Sequence, residues 1–183
     1  MLLEFIKNPK EIGAICSSSK SLAKNITLNV DSDVSYIAEI GSGNGVFTKE
    51  IIKKINNDTT FFVVEINDCL AKNMRKNFPS LDVRNENANN ILNIMKEKNI
   101  EKLDVVISGI PWTNLNSKEQ YKLLSKIYDS LKDGGWFATF LYAIPSLNLM
   151  KFKKVLDSTF DDVIKSPIVW GNFPPAFVYY CQK

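Results

Sequence analysis

Histidine is missing from the chain altogether. Its absence excludes His-ligated metal sites and the Ser-His and Cys-His pairs of nucleophilic catalysis. Any general base must then be a carboxylate, a Tyr, a Lys or the substrate itself, and no metal site is expected. Cysteine is scarce. Cys16, Cys69 and Cys181 lie far apart among apolar or small neighbours and read as reduced, partly buried thiols of a cytosolic protein. Long apolar runs are lacking as well. No segment approaches the roughly 20 apolar residues that span a bilayer, and Glu4, Lys7, Lys10 and Glu11 argue against a signal peptide. Charge is not concentrated in one sign: the net value of +3 falls short of a nucleic-acid-binding signature. Low-complexity stretches and internal repeats are absent, which excludes a disordered or repetitive chain.

What remains is an ordinary globular composition. At 183 residues and 45% hydrophobic content, one sizeable core and a single domain over 1–183 are expected. Apolar runs read as strands at Tyr36 to Ile40, Phe61 to Ile66, Leu81 to Asn87, Leu103 to Gly109, Gly135 to Tyr142, Val163 to Trp170 and Ala176 to Cys181. Helical spacing separates them. Val46 to Ile55, Leu70 to Asn77 with Asp68 as its cap, and a helix centred on Ile91, Leu92, Ile94 and Met95 come first. Lys118 to Leu131 follows, capped by Ser117 and ended by Asp133-Gly134-Gly135, then an amphipathic stretch from Leu147 to Phe160. This alternation, closing in a β-hairpin, predicts an α/β fold with a doubly wound, mostly parallel seven-stranded sheet.

The chemistry gathers at strand ends. Glu39-Ile40-Gly41-Ser42-Gly43-Asn44-Gly45 places glycines between a strand and a helix, where the backbone can approach a ligand closely. The spacing is G-x-G-x-G rather than the dinucleotide G-x-G-x-x-G, and an acid stands beside it. A carboxylate there would repel a pyrophosphate and attract the sulfonium and ammonium of S-adenosyl-L-methionine. Gly41, Ser42, Gly43 and Gly45 are accordingly cofactor-loop candidates, with Glu39 choosing the cofactor by its charge. Glu65 stands 20 residues after Gly45 (65 − 45), the spacing at which a carboxylate accepts ribose hydroxyls. Ile66 would pack on the adenine face.

Weaker signals follow the next two strands. Asn87-Ala88 suits an adenine edge, its amide offering hydrogen bonds and its small neighbour leaving room, or is a plain turn. Ser108-Gly109-Ile110-Pro111-Trp112 lies at the carboxyl edge of the sheet, where Trp112 is either a pocket wall offering cation–π attraction or a core residue. Tyr142, Tyr179 and Tyr180 are the tyrosines open to a role as base, beside a pocket carboxylate. The N-terminal lysines Lys7, Lys10, Lys20 and Lys24 read first as a solvated helix face and second as a patch for an anionic surface. Leu2, Leu3, Phe5 and Ile6 beside them are consistent with an interfacial helix.

Together these residues resemble class I S-adenosylmethionine-dependent methyltransferases. More narrowly, the chain is similar to the bacterial phospholipid N-methyltransferases, which methylate phosphatidylethanolamine and are related to the rRNA adenine dimethylases. The likeness lies in Phe5-x-x-x-Pro9-x-x-x-Gly13-Ala14-Ile15-x-x-Ser18-Ser19-x-x-Leu22-Ala23, Gly45-Val46-Phe47-Thr48, Ser108 to Trp112 and Val169-Trp170-x-Asn172-x-Pro174-Pro175-Ala176. Two positions depart from it: Asn87 stands where that family has an acid, and Ser17 where it has a proline. The Asn-Leu-Pro-Tyr type motif of the rRNA dimethylases is absent after strand four, so methylation of RNA, or of a small molecule, ranks second, and a cofactor-binding module without catalysis third.

The resemblance implies a Rossmann-like methyltransferase fold with an added N-terminal helix. Residues 1–30 would form a helical lid in contact with the membrane, contributing Ile15, Ser17 and Ser18 to the cofactor, and 31–183 the catalytic core. Ser108 joins the implied cofactor residues. The implied partner is a lipid head group at an anionic membrane surface. The expected place is the cytoplasm, peripheral on the inner face of the membrane.

Overall fold

The computed structural model describes residues 18–183. Ile15, Ser17, Cys16 and the Leu2-to-Ile6 cluster lie outside the described residues. Seven strands form one sheet: β1 (Tyr36–Ile40), β2 (Thr60–Val64), β3 (Asp82–Arg84), β4 (Leu103–Ser108), β5 (Leu131–Tyr142), β6 (Asp162–Lys165) and β7 (Ala176–Gln182). Their order is β3-β2-β1-β4-β5-β7-β6, parallel except for β7, which runs antiparallel to both β5 and β6. The helices are α1 (Lys20–Ile26), α2 (Val46–Ile52), α3 (Asp68–Asn77), α4 (Ile91–Glu97), α5 (Ser117–Ser130) and α6 (Leu147–Thr159). The fold is the expected α/β architecture.

Strand alternation distributes the core over both faces of the sheet. Along β1, Ala38 and Ile40 join the cluster under α4, α5 and α6, which includes Ile94, Leu124, Phe137 and Phe152. Ile37 joins the opposite cluster with Leu22 and Ile26 of α1, Phe47 and Ile51 of α2 and Met74 of α3. Burial on both sides is why the strands read as near-continuous apolar runs. α1 is short, so packing rather than propensity holds it. Ser19 caps it by accepting from the Leu22 N–H at 3.1 Å, and Tyr180 of β7 donates to the Asn25 carbonyl at 2.7 Å.

Several boundaries differ from expectation. The cap of α3 is Asn67 rather than Asp68, and that of α5 is Asn116 rather than Ser117, with a capping box closed by Glu119. In each pair the upstream residue keeps extended backbone and turns its side-chain oxygen onto the first turn. Asp133-Gly134-Gly135 does not end the helix. α5 stops at Ser130, and those residues form an irregularity within β5, where pairing with β4 slips between Leu103↔Leu131 and Val105↔Trp136. β3 shrinks to three residues, and of the Val163-to-Trp170 run only the part to Lys165 is strand, with Val169 bridging Ala176. Cys69 is exposed rather than partly buried, while Cys181 is buried and its thiol is pushed well up by desolvation. Among the described residues, no helix is long and apolar enough to cross a membrane.

Candidate active site

β1 and β4 are neighbours in the sheet but not in sequence, because the chain leaves β1 for β2 and β3 on one side and returns to β4 on the other. The crevice outside the carboxyl ends of such a pair is the ligand position of open α/β sheets. Two loops meet there. A Cβ on Gly109 would stand 2.2 Å from the Gly41 carbonyl oxygen, so the backbone after β4 lies directly on the backbone after β1. The Gly109 N–H donates to the Ile40 carbonyl at 2.9 Å, and the Gly41 N–H to the Val64 carbonyl at 2.8 Å.

The glycines of the β1 loop differ in their surroundings. Gly41, Gly43 and Gly45 all have positive φ, between 53° and 76°, a region where a side chain costs about 1–2 kcal/mol. A Cβ on Gly45 would strike the Met74 sulfur and the Phe78 ring, both at 2.8 Å, whereas one on Gly43 would meet nothing within 4 Å. Gly45 is therefore closed by packing, and Gly43 faces open space.

Glu39 lies beneath this loop. The period of β1 turns it toward α2, where it is fully buried. Oε2 accepts from the Thr48 hydroxyl at 2.5 Å, and Oε1 has no hydrogen-bond partner among the described residues. Desolvation pushes the carboxyl up to about 7, the Thr48 hydrogen bond pulls it back, and the nearby Glu65 charge adds to the rise. The Ser42 hydroxyl is likewise buried without a partner. Thr48 was not singled out from the sequence as a functional residue, although its place in the first turn of the helix after the loop is the available signal.

Glu65 follows β2 and is buried. Oε2 accepts from the Gly43 N–H at 3.0 Å and Oε1 from the Asn67 N–H at 2.9 Å. The carboxylate thus shapes the glycine loop itself, and its remaining lone pairs are what a ribose could use. Ile66 is 68% exposed beside it. Asn87 is exposed, and its Oδ1 accepts from the Asn89 N–H at 2.9 Å, capping a 3₁₀ turn that begins at Ala88, which is half-buried. Asn85, which sequence reasoning missed, pins this side by donating to the Glu65 and Ile66 carbonyls at 2.9 and 3.2 Å.

Three expected roles are corrected. Trp112 is no pocket wall: its ring is fully buried, stacked on Phe152 at 5.2 Å and edge-on to Phe137 at 5.9 Å. Ser108 is fully buried and accepts from the Trp112 indole N–H at 3.0 Å, so it positions the loop after β4 from below. Tyr180 is no base. Its hydroxyl is committed to the Asn25 carbonyl, and burial pushes it up to about 12. Tyr179 is buried in the core and raised by the same cause. Tyr142 ends β5 at the carboxyl edge, half-buried, its ring edge-on to Phe140.

The two terminal motifs of the sequence meet in space. Asn172 is buried, its Oδ1 accepting from the Ser19 N–H at 2.8 Å and its Nδ2 donating to the Pro174 carbonyl at 2.8 Å. The 166–175 connection is thereby strapped across the start of α1, next to the half-buried Ser18.

An ionisable, unpartnered carboxylate oxygen below an open glycine loop suits a cationic ligand and repels a pyrophosphate, so the residues present fit S-adenosyl-L-methionine. The fold is of the Rossmann-like class. Among solved structures, spermidine synthase from Thermotoga maritima superposes with a TM-score of 0.67 at 14% identity, over 91% of this chain and 60% of that one. A SAM-dependent O-methyltransferase from the same organism gives 0.63 at 17% identity, over 89% and 64%. The chain thus spans a little under two thirds of either, and the likeness is one of fold.

The family model described as methyltransferase domain matches residues 37–135. The chain belongs to that family and is an S-adenosylmethionine-dependent methyltransferase. It is similar to an ornithine lipid N-methyltransferase from Singulisphaera acidiphila, 25% identical over 98% of this chain and 92% of the relative.

Proposed function

We propose that the protein methylates the amine of a membrane lipid head group, an ethanolamine phospholipid such as phosphatidylethanolamine. The observation that carries this reading is that exposed apolar side chains stand on two connections at the carboxyl edge that also holds the cofactor loop. Leu147 and Met150 begin α6 there, and Trp170 and Phe173 lie on the strap between β6 and β7. Trp170 is 75% exposed. Aromatic and aliphatic groups displayed together at one edge suit a membrane interface. The likeness to a lipid N-methyltransferase along nearly the whole chain supports the same acceptor class.

When bound, the cofactor supplies an activated methyl group on a sulfonium leaving group. Glu39 and Ser42 would hold its cationic end, Glu65 its ribose, and Ile66, Asn87 and Ala88 its adenine. The lipid amine must reach the methyl carbon as the free base, so its proton must first pass to a carboxylate, a tyrosine or solvent. In-line alignment by the loops after β1 and β4 then supplies most of the acceleration. The test is transfer from labelled cofactor into vesicles carrying an ethanolamine phospholipid, an ornithine lipid or neither. Label in the amine lipid supports the proposal, and inert vesicles with labelled RNA would sink it.

A further inference from the structure

A second site lies three strands away from the cofactor loop. A cavity of about 540 Å³ opens at the ends of β5, β6 and β7, within the roughly 300–1,000 Å³ of small-ligand sites. Its walls are Ile144 and Pro145 from the β5–α6 connection, Leu147 and Met150 from α6, and Ile168 and Phe177 from the strap and β7. Lys165 is the charged residue among those that line it, its Nζ 4.0 Å from the centre of the Phe177 ring. Among the described residues no acid lines the cavity, and the first turn of α6 contains none.

We infer that this groove is the subsite for one acyl chain of the lipid acceptor, with Lys165 pairing with the anionic group next to the tail. The inference rests on the lipid reading above and adds where the lipid is gripped. An apolar trough with one lysine and, among the described residues, no acid in its lining matches an amphiphile that carries an anionic phosphate beside its tail, and a folded protein partner would need a broader face. The geometry allows one molecule to bridge both sites. Lys165 ends β6, which is four strand spacings from β1 and three from β4, about 19 and 14 Å, on the same edge of the sheet. α6 is also keyed to the loop after β4, through Phe152 stacked on Trp112 and Asn148 donating to the Thr113 carbonyl at 3.3 Å.

The test uses monoacyl glycerophosphoethanolamines of increasing chain length, kept below the concentration at which they aggregate. Each methylene entering the groove should lower the acceptor KM about fourfold, ~0.8 kcal/mol, until the groove is full. The KM for S-adenosylmethionine should not move. Leu147→Glu, at an exposed position that favours an acid in the first helical turn, should flatten the series. Lys165→Glu should raise the acceptor KM about tenfold at every length. A flat series in the unaltered protein, or a slope untouched by Leu147→Glu, overturns the inference while leaving lipid methylation intact. If no acceptor of the series is methylated, an analogue with a diazirine in its tail separates the two claims. Crosslinks in 144–150 or 165–177 keep the groove as a lipid site and reject the amine as acceptor, and crosslinks elsewhere reject the groove.

Discussion

Glu39 is a buried carboxyl whose ionised form the fold disfavours. Its carboxyl is raised from 4.5 to about 7, chiefly by burial, so in the free protein the folded form holds a proton that the unfolded chain releases. Stability from this group therefore falls as pH rises from 4.5 toward 7 and then levels. Glu39→Gln should stabilise the cofactor-free protein above neutrality by up to about 3 kcal/mol, read as a higher Tm, while weakening cofactor binding at least tenfold. A cationic ligand favours the ionised carboxylate, so S-adenosylmethionine affinity should rise with pH up to about 7, by at most tenfold per unit, and Glu39→Gln should abolish that dependence. Calorimetric titration across roughly pH 5.5 to 8 checks both. The glycines make a second contrast. Gly43→Ala should cost only about 1–2 kcal/mol of stability yet obstruct the ligand, whereas Gly109→Ala, aimed at the Gly41 carbonyl, should part the two loops and lose both stability and binding.

At the scale of elements, the joint between α1 and the terminal hairpin should be stabilising rather than catalytic. Tyr180→Phe deletes the bond to the Asn25 carbonyl and should lower stability by about 1 kcal/mol while kcat stays within about twofold. Asn172→Ala leaves the Ser19 N–H without its partner. A loss of about 1–3 kcal/mol and faster hydrogen exchange along Lys20–Ile26 should follow. These two residues also mark where sequence reasoning stopped. Strand order, alternation and the acidic glycine loop were legible because they rest on local periodicity and local charge. Tyr180 looked available because what buries it, α1, lies about 150 positions earlier in the chain. Trp112 stayed undecided for the same reason, since Phe137 and Phe152 close over it from two other elements. The caps at Asn67 and Asn116 were missed by one residue because both members of each pair are good caps.

At the scale of the molecule, one sheet edge carries the proposed cofactor crevice at the β1/β4 switch and an apolar groove beyond β5 lined by Leu147 and Met150, with exposed Trp170 and Phe173 on the strap. Exposed lysines on α6 and at the end of β6, Lys151, Lys154 and Lys165, stand near that edge. Binding to anionic vesicles should therefore weaken as salt is raised, without vanishing, because the apolar contribution is not screened. Salt-insensitive binding in a co-sedimentation assay would contradict the electrostatic part. The central claim, a methyltransferase whose acceptor is a lipid amine, is tested most directly by labelled methyl transfer into a fractionated cell extract. The account predicts label in the lipid fraction, on amine-bearing lipids, and its loss in Glu39→Gln. Label confined to RNA or to water-soluble metabolites, with every lipid inert, would contradict it.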